Sequence, residues 1–282
     1  MSEYTPKHSD NEPKKITSKK SIGMFFAGFG VAQIIPIIIA TIAIALVAVF
    51  LFVYLLLPHF SDSNDKYKND GSTITSSDSS TVLPANPIDF EAIQAENPDV
   101  CAWIQIPGID VIDYPILQSS PEADDNFYLD HDINGKSKRA GSIYIQKLNN
   151  KDFTDPATLI YGHNMLNGTM FGQLKKFRTK SFFEENREIY IYMPGHILKY
   201  EIISAFVYDD RHIINSFNFD IEEERMKFFN ECTNPTSLTK QVLEGASLDE
   251  DDEIIVLSTC TANDSERYLV VGKFISDTVT AR

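Results

Sequence analysis

The chain has 282 residues, a formal net charge of −15, 43% hydrophobic residues, three cysteines and one tryptophan. Its first quarter is not globular in composition, which leaves about two hundred residues for one sizeable core. The acidic balance argues against a nucleic-acid partner. With no metal-ligand cluster, glycine-rich phosphate loop or dinucleotide fingerprint, no cofactor and no metal are expected.

Lys7, Lys14, Lys15, Lys19 and Lys20 precede an uncharged stretch, Ile34 to Pro58, dominated by Ile, Ala, Val, Leu and Phe. At about 1.5 Å per residue this stretch is long enough to cross a hydrocarbon core as a helix. It exceeds the roughly 7 to 15 apolar residues of a cleaved signal, and no small-residue cleavage site ends it. The reading is an uncleaved anchor, with Pro36 early in the span. Residues 1–20 carry a sum of +2, leaving −17 for everything after the span, so the positive-inside rule keeps the N-terminus cytoplasmic. This predicts a single-pass protein of the cell membrane: residues 1–20 inside, 21–58 the anchor, and the rest outside. Residues 59–87 turn to Ser, Asp, Asn, Thr and Lys and read as a flexible extracellular stalk.

The folded domain is expected over 88–276, with a tail at 277–282. Ile88 to Ala95 reads as a short amphipathic helix stopped by Asn97-Pro98. Eight β-like runs follow: Ala102 to Ile106, Ile112 to Leu117, Gly141 to Gln146, Thr158 to Tyr161, Glu188 to Met193, Leu198 to Tyr208, Glu253 to Thr259 and Arg267 to Ile275. Turn signals such as Pro107-Gly108 and Pro194-Gly195 separate them, which suits a closed, antiparallel-rich barrel. The fold class is therefore mostly β with helical insertions. One insertion is predicted at Thr169 to Phe177, the other after Asp220 as N-cap, through Glu222-Glu223-Glu224. Phe171, Phe177, Phe182, Phe183 and Trp103 read as core. Asp249 to Glu253 lacks the spacing and turn glycine of a calcium loop and reads as solvated.

Three cysteines cannot all pair. Cys101 lies in an apolar run and Cys232 falls on a helical face with Ile221, Phe228 and Phe229, so both read as small core residues. Cys260 differs, ending the run Val256-Leu257-Ser258-Thr259-Cys260 among polar neighbours. His163 ends the run Thr158-Leu159-Ile160-Tyr161-Gly162-His163, and Arg267 opens the last run. A cysteine attacks as thiolate, which a neighbouring imidazolium or guanidinium favours. Arginine does not give up its proton near neutral pH, but its fork can hold a developing oxyanion, which leaves His163 as proton donor to a leaving amine. His131, His196 and His212 read as exposed turn or loop positions.

Ser258-Thr259-Cys260 with Arg267, Tyr161-Gly162-His163-Asn164-Met165 and Gly168-Thr169-Met170-Phe171 together resemble the class B sortases. Asn97 to Ile104 and Ile112 to Ile116 resemble the segments that open that domain, so the similarity spans roughly 88–276. The resemblance implies an eight-stranded sortase barrel behind an N-terminal membrane helix. It implies a cysteine transpeptidase that cleaves the C-terminal sorting signal of secreted proteins at a Thr-Gly type bond. The thioacyl enzyme is then resolved by an amine of a lipid-linked cell-wall precursor or, in some relatives, by a pilin lysine. By position Cys260 is the nucleophile, His163 the acid and base, and Arg267 the oxyanion clamp. Ser258 and Asn126 are implied to line the peptide groove. Set against these is a non-catalytic module that binds a wall peptide.

Overall fold

The computed structural model describes residues 38–48, 64–69, 83–263 and 265–281. The chain divides into two compact units, 1–60 and 61–282. In the first, helix α1 (38–48) is apolar and exposed. No helix among the described residues is long and apolar enough to cross a membrane, and most of the span expected at 34–58 lies outside those residues.

The second unit is a closed barrel. Its strands are β1 (Val100–Gln105), β2 (Asp113–Leu117), β3 (Ile143–Ile145), β4 (Ala157–Tyr161), β5 (Glu188–Met193), β6 (His196–Asp209), β7 (Lys240–Val242), β8 (Ile254–Cys260) and β9 (Glu266–Val279). They run in the order β5-β1-β2-β3-β4-β8-β9-β6, and a β5–β6 pairing closes the ring of eight. All eight strands read from the sequence are present. β7 is a ninth, added to β6 outside the ring. The ladders are antiparallel except β2–β3 and β4–β8, which are parallel.

Helices α2 (Phe90–Glu96), α3 (Lys180–Glu185), α4 (Ile213–Ser216) and α5 (Glu222–Thr233) lie outside the ring. The barrel interior is filled from alternate positions of the ring's strands, among them Ile104, Ile116, Ile160, Ile202, Ile255 and Val270. A second apolar cluster joins the outer faces of β4, β6, β8 and β9 to Phe228, Phe229 and Cys232 of α5. β8 is therefore covered on both faces. That is why Ile254-Ile255-Val256-Leu257 is a continuous apolar run rather than an alternating one.

Four expectations need correction. The helix expected at Thr169 to Phe177 is a turn followed by a 3-10 helix, Leu174–Arg178, because Met170 takes φ 53° and breaks the helical path. Helix α5 is preceded by Ile221, not Asp220, as its N-cap residue. The stretch expected as stalk includes Asn64–Asn69, which dock on the domain: Tyr67 is buried with Ile88, Phe90 and Trp103, and Lys68 pairs with Asp113. Likewise β9 runs through the expected tail to Val279. There Thr280 N donates to Gly195 O at 2.8 Å and Asn86 Nδ2 to Met193 O at 2.8 Å.

Candidate active site

The parallel pairing of β4 with β8 sets Tyr161 opposite Ser258, and Gly162 N donates to Ser258 O at 3.2 Å. His163 thus leaves β4 beside the strand end where Cys260 leaves β8. Gly162 is required here, since a Cβ would lie 2.5 Å from Ile143 Cδ1 and 2.7 Å from Phe171 Cδ2. The antiparallel β8–β9 ladder sets Cys260 opposite Arg267, and β6 continues the row with Tyr208 opposite Arg267. Val256, Ser258 and Cys260 share the outer face of β8, so the row lies on the barrel's outer rim rather than in its interior. The three residues singled out in the sequence are thereby gathered on adjacent strands, in the order β4, β8, β9.

Their surroundings differ. Cys260 is half-buried, while Cys101 and Cys232 are buried and form no disulfide. Burial pushes the Cys101 thiol up to about 12 and also raises that of Cys232. His163 Nε2 lies 2.8 Å from Leu129 O. A carbonyl only accepts, so Nε2 carries the proton and Nδ1 is left to receive one. Leu129 ends a 3-10 turn, Phe127–Leu129, tied down by Ser142 N to Tyr128 O at 2.9 Å and Tyr128 Oη to Asp99 at 2.8 Å. Gly141 passes so close beneath this turn that a Cβ would lie 2.2 Å from Leu129 O. Arg267 is half-buried and donates from Nη1 to Glu266 O at 3.0 Å.

The two residues implied as groove lining stand at opposite ends of one cross-strand row. Ser258 is buried in the floor, and the β3–β4 ladder adds Tyr144 opposite Tyr161, giving a row Tyr144, Tyr161, Ser258 across three strands. Asn126 is exposed at the Tyr144 end, where its Oδ1 accepts from Tyr144 Oη at 3.2 Å and Gln146 Nε2 at 2.8 Å. Its oxygen is thus held by two buried side chains. Burial holds the Tyr144 phenol above its ordinary value, with smaller contributions from Asp125, the Cys260 charge and Asp124. Tyr144 and Gln146 were not singled out from the sequence. Their spacing of two within a β-like run is the signal that puts them on one face.

His131 is not simply solvated: Nδ1 meets Phe127 O at 2.8 Å and Asp130 at 2.6 Å, and the ring stacks on Phe127, bracing the same turn. His196 pairs with Asp277 at 2.8 Å at the far end of β6. No group of residues suited to a metal occurs among the described residues.

A closed eight-stranded barrel with a half-buried cysteine, a histidine and an arginine at one outer rim is the architecture of a cysteine transpeptidase. The comparisons agree. The sortase domain model matches residues 104–275. Sortase B of Listeria monocytogenes is 30% identical over 225 residues, covering 76% of this chain and 85% of that protein. The crystal structure of Clostridium perfringens sortase B superposes with a TM-score of 0.58 at 31% identity, covering 66% of this chain and 99% of that one. A Staphylococcus aureus sortase B–substrate complex gives 0.58 at 26%, covering 67% and 85%. The chain belongs to the sortase family, and within it to class B.

Proposed function

We propose that Cys260 is the nucleophile, His163 the proton shuttle and Arg267 the oxyanion clamp of a transpeptidase that acts on C-terminal sorting signals of secreted proteins. The observation that carries this is the register: Cys260 faces Arg267 across one ladder and leaves its strand beside His163. The Cys260 thiolate attacks the carbonyl carbon of a Thr-Gly type bond, and the Arg267 fork stabilises the oxyanion. The C–N bond breaks as the imidazolium gives its proton to the leaving amine, and the acyl group rests on sulfur. An acceptor amine then attacks the thioester, passing a proton to His163 as C–N forms and C–S breaks.

The acceptor is a cell-wall precursor amine, and the enzyme works outside the membrane on an N-terminal anchor with its N-terminus cytoplasmic. The lysine run before an uncharged span supports that placement. The extended row Tyr144, Tyr161, Ser258, ending near Cys260, supports an extended peptide as acyl donor.

The test is intact mass spectrometry of the full chain incubated with Thr-Gly-containing pentapeptides, with and without amine acceptors, beside Cys260→Ala. An acyl increment on the native chain that amines discharge is expected. Acylation that survives Cys260→Ala would overturn the assignment. Discharge by a pilin lysine but not by wall-peptide amines would move the acceptor from wall to pilus.

A further inference from the structure

A cavity of about 510 Å³ opens on the side of Arg267 away from His163. Tyr208 and Asp209 from the end of β6, Glu231 from the last turn of α5, Asn234 just past it, Ser265 before β9 and Glu266 at its start line it. It continues the catalytic row, since Tyr208 and Asp209 are the register partners of Arg267 and Glu266. A volume of several hundred Å³ suits a small polar ligand.

The lining has a definite charge. Among the described lining residues the one cation, Arg211, is engaged by Asp209, with Nε donating to Oδ1 at 2.7 Å. Glu231 and Glu266 are met instead by hydroxyls: Tyr208 Oη donates to Glu231, and Thr261 Oγ1 is shared between Asn263 O at 3.0 Å and Glu266 at 3.3 Å. The carbonyl end of α5 adds to the negative potential, and its last turn carries no basic residue.

We propose that this cavity holds a cationic group of the acceptor, set back from the attacking amine. The proposal rests on the transpeptidase reading above. From Cys260 across β9 to Tyr208 is two strand spacings, about 10 Å, or roughly three extended residues. The acceptor it selects is therefore a peptide-like amine whose third residue carries a second positive charge. The reacting amine enters neutral, forms its C–N bond as C–S breaks, and passes its proton by His163 to the Cys260 sulfur. The second cation keeps its charge throughout. Water has no such group, so the cavity favours transfer over hydrolysis.

The test compares Gly-Gly-Lys amide with Gly-Gly-norleucine amide as acceptors for the full chain and for Glu231→Gln and Glu266→Gln. Both variants keep an oxygen for the hydroxyl that each carboxylate accepts. The native enzyme should prefer the lysine peptide three- to tenfold in acceptor kcat/KM, with the preference weakening as salt rises. The preference should collapse toward unity in the variants. Equal use of the two peptides by the native enzyme, or a preference that survives both substitutions, overturns the proposal. Calorimetric titration of Gly-Gly-Lys amide into full-chain Cys260→Ala reads the cavity without acylation. Weaker binding when Glu231→Gln is added supports the proposal, and unchanged binding refutes it. Absence of any acyl-enzyme on the native chain would refute the transpeptidase reading and leave this binding result standing.

Discussion

At the scale of single residues, the three cysteines separate by environment. Cys260 stands half-buried at a rim, whereas burial holds the Cys101 thiol near 12, protonated throughout the neutral range. Thiolate is the form that alkylates. Iodoacetamide at pH 8 should therefore label Cys260 in the folded chain and leave Cys101 and Cys232 unlabelled until denaturant is added. Peptide mapping showing Cys101 labelled first would contradict this. The carboxamide of Asn126 makes a second case. Tyr144→Phe removes one of the two donors to its Oδ1, about 1 kcal/mol for a neutral hydrogen bond. The KM for the sorting peptide should rise about three- to tenfold with the acceptor KM unchanged. Equal rises for both substrates would mean a general loosening rather than a loss of orientation. Cys260, His163 and Arg267 were legible because each ends or opens an apolar run. Asn126 was reached by resemblance alone, and its supports come from a strand that only the folded register brings beside it.

At the scale of elements, strands with apolar runs were legible and elements defined by backbone detail were not. β8 reads as a strand because both faces are covered. β7 has three residues, Lys240 to Val242, with no buried one to give a pattern. The expected helix at Thr169 failed because Gly168 at φ 80° and Met170 at φ 53° turn the chain. The same kind of detail holds the histidine. Gly141 sits at φ 55°, and a Cβ there would lie 2.2 Å from the Leu129 oxygen that His163 bonds. Gly141→Ala should thus lower stability by about 1–3 kcal/mol, through strain in the left-handed region and displacement of the turn. It should also cut transpeptidation more than a core substitution of equal stability cost, because Leu129 moves with the turn. Paired denaturation and turnover measurements on Gly141→Ala and Ile143→Val distinguish the two effects. Activity that falls only in step with stability would show that the Leu129 contact does not matter.

At the scale of the whole molecule, the second unit buries phenols and thiols on a scale that the charge count conceals. Only the run of apolar residues was visible in sequence. That Tyr67, alone in a polar stretch, packs with Ile88, Phe90 and Trp103 was not, because one buried side chain makes no period. Burial raises the phenols of Tyr144, Tyr161, Tyr200 and Tyr268, and with hydrogen bonding those of Tyr128 and Tyr208. The Cys101 and Cys232 thiols are raised too. Each of these groups keeps its proton in the folded state after the unfolded chain has lost it. The stability they contribute is therefore fully present below the unfolded values and is lost as pH climbs toward the folded ones. Each group costs about 1.4 kcal/mol per pH unit over that window. The two thiols begin this loss near pH 9, and the tyrosines steepen it above 10. A domain stable by about 5–15 kcal/mol exhausts that margin between about pH 10 and 12. Tyrosinate absorbance near 295 nm should then rise in one step that coincides with loss of the circular dichroism of the sheet. The onset should move to higher pH in Cys101→Ala, after allowing for its lower stability at neutral pH. A gradual phenol titration centred on pH 10 in a chain that stays folded would show that these side chains are open to solvent and that the barrel is looser than its packing implies.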